Sequence, residues 1–372
     1  MSSIIQEQPS PASCAGCLRR SWLLASLGAA LDYCARDRDR LLELLALEDE
    51  QLLLAVAGRR RAELSARYEQ FEVEEPPHGQ AAEAVCRHDP LYPRALSGDS
   101  APHMLNVAGG ARRLHELLAA PAVAIVGSTR ASDYGMEMAG SLGRGLAVAG
   151  VTVTSSLADG IAVAAQAGAL EADGRTVAVM GGGLDVSCPA RRRPLYERVR
   201  RGGCAVSELP WDCAGRHWGP LAGERIVAGL ATLTIVVEAE ETPRDLAAAR
   251  MANARGRSVA ALPGRVTSPL SAGTHALLME GAHLLRGAQD ALELLYSLGA
   301  NRCVAKTASA SHARLEPRLR ATLERVGAGS DTPDKLMGEG ADADAVLLAL
   351  SELELMGLLA RGDGGRYVPR CP

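Results

Sequence analysis

Between Pro121 and Leu298 short apolar runs and helical patterns take turns with few lapses, and that alternation limits the folds open to this chain. Strands are expected at 123–126, 151–154, 176–180, 204–207, 233–237 and 258–262. Helices are expected at about 134–149, 160–172, 191–201, 220–230, 243–255 and 271–280. Such spacing predicts a mostly parallel sheet with helices on both faces, a Rossmann-like doubly wound α/β fold. The first βα unit is the clearest. Its apolar run V-A-I-V (Val123 to Val126) stops at Gly127-Ser128, and a helix pattern starts near Tyr134-Gly135-Met136.

Ligands of doubly wound sheets sit beyond the carboxyl ends of the strands, so the residues after each strand are the candidates for a site. Here they are small and polar: Gly127-Ser128-Thr129-Arg130, Ser155-Ser156, Gly181-Gly182-Gly183, Ser207-Glu208, Glu238 and Pro263-Gly264-Arg265. Backbone amides at a turn into a helix offer a place for a phosphate, and Arg130 adds a fork of donors. The anion-holding set comprises Gly127, Ser128, Thr129, Arg130, Ser155, Ser156, Gly160, Gly181, Gly182, Arg225, Gly264, Arg265, Ser271, Gly273 and Thr274. The cluster Arg191-Arg192-Arg193 with Arg198, Arg200 and Arg201 is a second source of positive charge. The spacing is not G-x-G-x-x-G, and no G-x-x-x-x-G-K-[ST] loop, Ser–His–Asp or Cys–His arrangement is legible, so neither catalysis nor a cofactor is expected. His217 and His275 read as hydrogen-bonded structural residues, and Trp211 and Trp218 are the indoles nearest the rim.

The flanks differ from this core. Residues 1–75 read as a helical module with a disordered Pro/Ser-rich start, on Trp22, Leu23, Leu27 and Leu31 and the leucines from Leu41 to Leu54. Residues 76–120 are a linker and lead-in, 121–298 the core and 299–317 an Ala/Ser-rich linker. Residues 318–372 read as three helices and a hairpin, a winged-helix-like domain. Its net charge of −2 argues against a duplex reader and for a protein-contact or packing role.

The whole chain carries a net charge of −4, so an anion site has to be a local patch of arginines. With 3% aromatic residues and one phenylalanine, Phe71, the core must be built from Ala, Val and Leu. Nine irregularly spaced cysteines with no signal peptide before them read as reduced cytoplasmic thiols. Cys14-Ala15-Gly16-Cys17 is a lone CxxC without a second pair, read as structural or incidental, and no metal is expected. No apolar segment reaches the ~20 residues that span a bilayer.

Several ordered stretches carry a resemblance to a known family. They are V-A-I-V-G-S (123–128), G-A-L-E-A-D-G-R-T-V-A-V-M-G-G-G-L-D-V (168–186), S-E-L-P (207–210), R-I-V-A-G-L (225–230) and P-G-R-V-T-S-P-L-S-A-G-T-H (263–275). In these the chain resembles the DprA/Smf family of bacterial DNA-processing proteins. The resemblance implies a non-catalytic protein that binds single-stranded DNA through the Rossmann-like core and forms homodimers. It also implies protection of incoming DNA and loading of RecA in natural transformation and recombination. Departures fall at the expected contacts. Where the family reads G-S-R, this chain has Gly127-Ser128-Thr129 with the arginine at 130. S-G-L-A-R-G-I-D becomes Ser155-Ser156-Leu157-Ala158-Asp159-Gly160-Ile161-Ala162, R-N-R-I becomes Gly223-Glu224-Arg225-Ile226, and S-G-S becomes Glu241-Thr242-Pro243. Two alternatives stand beside this reading: a nucleotide-binding Rossmann-like sensor, and a non-catalytic adaptor that has lost DNA binding.

Overall fold

The computed structural model describes residues 13–72, then 82–298 apart from 99, 173, 186 and 187, then 316–327, 330, 332–337, 342–356, 358–361 and 366–369. The Pro/Ser-rich start expected to be disordered, the linker compositions within 73–80 and 299–315, Cys303, Cys371 and Gly364-Gly365 lie outside the described residues. Helices α1 (Ala15–Ser26), α2 (Gly28–Cys34), α3 (Arg38–Ala46), α4 (Asp49–Val56) and α5 (Arg61–Glu69) come first. Then follow β1 (Ala82–Cys86), β2 (Met104–Ala108), α6 (Ala111–Ala119), β3 (Ala122–Val126), α7 (Asp133–Val148), β4 (Thr152–Ser156) and α8 (Ile161–Glu171). Next are β5 (Thr176–Val179), α9 (Arg193–Gly202), β6 (Cys204–Ser207), α10 (Trp218–Leu230), β7 (Leu233–Val236) and α11 (Ala247–Ala254). The core ends with β8 (Ser258–Ala261), α12 (Ala272–Met279), β9 (His283–Leu284) and α13 (Ala288–Ser297). Last come α14 (Pro317–Gly327), α15 (Pro333–Leu336), α16 (Ala343–Leu355), β10 (Leu359–Arg361) and β11 (Tyr367–Pro369).

The sheet has nine strands in the order β1-β2-β6-β5-β4-β3-β7-β8-β9 and is mostly parallel. All six expected strands are present. Strands β1 and β2 are not among them and fall within 76–120, the stretch expected to be a linker and lead-in. β1 runs antiparallel to β2, and β2 antiparallel to β6. Each is a five-residue run with one polar residue, Glu83 or Asn106, and β2 is buried at every position.

One compact unit comprises residues 1–116 and 177–230. Its leucines Leu23, Leu31, Leu41, Leu52 and Leu64 pack with Leu209, Trp218 and Ala222, so the helical front shares one core with β6's outgoing turn and α10. Polar ties repeat the join: Ser21 Oγ donates to the Glu208 carbonyl at 2.7 Å, and Asp32 accepts from the Trp218 amide at 3.0 Å. The CxxC is not alone either, since Cys86 and His88 at the end of β1 come to Cys14 and Cys17.

The other unit comprises residues 117–176 and 231–372. β3, β4, β7 and β8 bury nearly every side chain, as strands covered on both faces must. Ser132 starts α7 by accepting from the Gly135 amide. Gly150, at φ +76°, ends the segment that follows α7, with Gly150 N–H donating to Ala147 and Val151 N–H to Leu146. Helices α7 and α8 touch backbone to backbone: a Cβ on Gly143 would run into the Ala165 carbonyl, and one on Gly168 into the Gly140 carbonyl. Residues 316–369 build their own small core from Leu319, Leu323, Val326, Leu336, Leu350, Leu353 and Tyr367, and β10 pairs antiparallel with β11. Among the described residues no helix is long and apolar enough to cross a membrane.

Candidate functional site

In the unit that holds β3, β4, β7 and β8, the strands run parallel, so their carboxyl-end turns line one rim. The β3–α7 turn is held from three sides. A Cβ on Gly127 would strike the Glu238 carbonyl and Ile161, and the Ser128 amide donates to that same carbonyl at 2.6 Å. Gly160, at φ +73°, lies directly against Ser128 and Thr129, and the Ile161 amide donates to the Ser128 carbonyl at 3.2 Å. The Ser128 hydroxyl accepts from the Arg130 amide at 3.1 Å. The result is a rigid turn that pushes Thr129 and Arg130 into solvent; the Arg130 side chain is 84% exposed, 3.7 Å from Glu240.

The head of α7 already holds an anion of the protein's own. Glu238, only 5% exposed, accepts from the Ser132 amide at 2.9 Å and from the Ser132 hydroxyl at 2.6 Å. Gly135 leaves room for this carboxylate, because a Cβ there would collide with it. A buried carboxylate at a helix N-terminus satisfies the donors and the dipole together. With the helix head occupied, Thr129 and Arg130 on the exposed flank are the groups of the turn open to solvent.

The remaining rim residues divide by exposure. Arg265 is exposed after β8, and Gly264 is half-buried against Ser271. Ser156 and Gly160 are half-buried after β4, whereas the Ser155 hydroxyl is buried and donates to the Ile125 carbonyl at 2.6 Å. Ser271, Gly273 and Thr274 are buried: Gly273 packs on the carbonyls of Ala239 and Glu240, and the Thr274 hydroxyl donates to the Ser271 carbonyl. These three shape the rim from behind. His275 Nε2 lies 3.2 Å from the Gly264 carbonyl and 3.4 Å from the Gly264 amide, donating to the first or accepting from the second according to its tautomer.

A residue the sequence reading passed over stands beside Arg130. Tyr134 is 46% exposed on the first turn of α7, and its hydroxyl donates to the Pro263 carbonyl at 3.3 Å. The phenol thus lies across the β8 turn with its ring open to solvent. Its signal was its position, two residues past Ser132 at the start of the helix that follows the site.

In the other unit, Gly181 and Gly183 are glycines because the 210–220 segment lies against them, and the Gly183 amide donates to the Cys213 carbonyl at 2.8 Å. Gly182 is buried, and Gly181 half-buried. Arg225 corrects an expectation: instead of facing a ligand, its guanidinium is 2% exposed. It grips Glu208 through both nitrogens, one at 2.8 Å, and donates to the carbonyls of Ser100 (2.9 Å) and Ala222 (2.8 Å). Trp218 is likewise core and offers no face to a base, while Trp211 is half-buried. The arginine-rich helix α9 buries Tyr196 and Val199 and turns Arg193, Arg198 and Arg201 outward. Burial pushes the Tyr196 phenol up to about 12, so it stays neutral.

Comparison with known proteins follows these observations. The sequence profile described as DNA recombination-mediator protein A matches residues 83–296. A DNA processing protein DprA of Mycobacterium tuberculosis is 36% identical over 281 residues, which is 75% of this chain and 69% of that protein. Protein Smf of Escherichia coli is 34% identical over 278 residues, 73% of each. The crystal structure of Streptococcus pneumoniae DprA superposes with a TM-score of 0.58 at 30% identity, over 74% of this chain and 95% of that one. A structure of Helicobacter pylori DNA processing protein A, described for its single-stranded DNA binding mode, gives a TM-score of 0.52 at 25% identity, over 59% of this chain and 97% of that one.

Proposed function

The chain belongs to the DNA recombination-mediator protein A family, the DprA/Smf DNA-processing proteins, and from that premise we propose that it binds single-stranded DNA on the turn between β3 and α7. The observation that carries the reading is the rigid turn presenting Arg130 and Thr129 outward beside the open ring of Tyr134. Arginine supplies phosphate charge and tyrosine a stacking face, the two components of sequence-tolerant single-strand binding. Arg265, Gly264, Ser156 and Gly160 extend the surface. The protein acts by binding, not catalysis: it shields incoming strands and helps load RecA in the cytoplasm, as a homodimer. Glu238 sits where a mononucleotide phosphate would seat at the head of α7, so the nucleotide-sensor alternative draws no support from this site.

Fluorescence anisotropy with labelled oligo-dT at several salt concentrations tests the assignment. The pair Arg130→Ala and Arg265→Ala is expected to flatten the dependence of log K on log salt by about 1.4, roughly 0.7 for each lost phosphate contact. Tyr134→Ala should weaken binding about tenfold with the salt slope unchanged, because stacking releases no counterions. Unaltered affinity in both variants rejects the site.

A third change works in the opposite direction. Asp159 precedes Gly160, in the loop that lies against Ser128 and Thr129. Its carboxylate stands where the family pattern carries arginine. Asp159→Arg is expected to tighten oligo-dT binding several-fold at low salt and to steepen the salt slope by about 0.7. An unchanged slope would place residue 159 off the path of the strand.

A further inference from the structure

Two cysteines at the start of α1 and two residues at the end of β1 bring four soft ligand atoms together. The Sγ atoms of Cys14, Cys17 and Cys86 lie 3.4, 3.7 and 3.9 Å from Nδ1 of His88, and all four donor atoms fall within 4.8 Å of one another. We propose that Cys14, Cys17, Cys86 and His88 form a structural zinc site that fastens the first helix to the first strand of the sheet.

The spacing fits four ligands around a single ion. With Zn–S near 2.3 Å and Zn–N near 2.05 Å, tetrahedral angles set sulfur-to-nitrogen edges at about 3.5 Å and sulfur-to-sulfur edges at about 3.8 Å. The three edges to His88, at 3.4, 3.7 and 3.9 Å, scatter around the first of these values. An iron–sulfur cluster ties its ligands to different iron atoms and needs them farther apart, so a single ion fits this spacing. Three thiolates and one imidazole are also a closed structural set, with no position left for water or substrate.

The surroundings favour the same ion. Cys17 and Cys86 are buried and pack with Met104, Leu18 and Ala84, an apolar backing that keeps water from the sulfurs. Cys14 is the N-cap of α1 and Cys17 stands in its first turn, so the positive end of a twelve-residue helix faces the net −1 of a zinc with three thiolates. The Leu18 amide donates to the Cys14 carbonyl and the Asp89 amide to the Cys86 carbonyl, which fixes both ligand pairs in turns. All three cysteines are free thiols. The fastening matters because the sequence between the pairs runs through all five N-terminal helices. Closing so long a loop removes chain entropy from the unfolded state.

Elemental analysis of the full chain, purified under reducing conditions without chelator, is expected to find one zinc per chain. Cys86→Ser and His88→Ala should lose it, and Cys34→Ser and Cys213→Ser should keep it. Cobalt reconstitution gives a readout independent of stability: the visible bands of tetrahedral cobalt thiolate should appear, and His88→Cys should retain them with a stronger sulfur charge-transfer band. A strong chelator should lower the melting temperature of the parent and leave Cys86→Ser unaffected. The proposal is overturned if the parent, offered zinc under reducing conditions, holds no stoichiometric metal. It is also overturned if Cys86→Ser and His88→Ala bind as much as the parent, or if mass spectrometry shows Cys14 and Cys17 joined in a disulfide under those conditions.

Discussion

Replacing Arg225 by alanine is expected to lower the melting temperature of this protein by roughly 10 °C, corresponding to about 3–5 kcal/mol. The guanidinium and the Glu208 carboxylate are both almost fully buried and bonded through both nitrogens. Alanine leaves Glu208 as a lone buried charge and removes the guanidinium's hydrogen bonds to the carbonyls of Ser100 and Ala222. The loss therefore exceeds what the ion pair itself contributes. The double change Arg225→Met with Glu208→Leu removes both charges and should recover most of the stability, since an apolar pair of similar volume needs no counter-ion. Thermal and urea melts of the three proteins check this. A single variant that melts like the parent would show that water reaches Glu208.

The second large effect concerns the contact between α7 and α8. A leucine at Gly143 must drive its Cβ into the Ala165 carbonyl, and neither backbone can yield without parting the helices from the strands they cover. We expect a loss of about 3 kcal/mol, at the upper end of overpacking costs. Gly140 provides the control one turn away. Its Cβ would stand 3.7 Å from the Ala164 carbonyl, an ordinary contact. Gly140→Ala should then gain up to about 1 kcal/mol from helix propensity. Urea midpoints of opposite sign for these two neighbours would confirm the crossing. Equal midpoints would mean that the helices lie farther apart.

How much of this was legible beforehand follows from how locally each feature is encoded. The six expected strands are short runs of apolar and β-branched residues at regular spacing between helical patterns, a signal each carries locally. β1 and β2 escaped because their place is secured by pairing, β1 with β2 and β2 with β6, across long stretches of sequence. Arg225 looked like a free cation, since nothing in R-I-V-A-G-L reveals that Glu208, seventeen residues earlier, would take it. Tyr134 was read only as the start of a helix. Similarly, Cys14 and Cys17 looked alone because Cys86 and His88 join them only through the fold. Side-chain partnerships across the sequence are the part that a one-dimensional reading lacks.

Glu238 has a kinetic corollary. If single-stranded DNA binds on the β3–α7 turn as proposed, it meets a filled helix head and a turn already clamped, with no loop to order. Association on this turn should be governed by electrostatic steering alone: fast, steeply dependent on ionic strength, and single-exponential, with differences among variants of the turn's uncharged residues appearing in the dissociation rate. On that proposal, the protein's internal anion would set the tempo of an encounter in which it makes no contact.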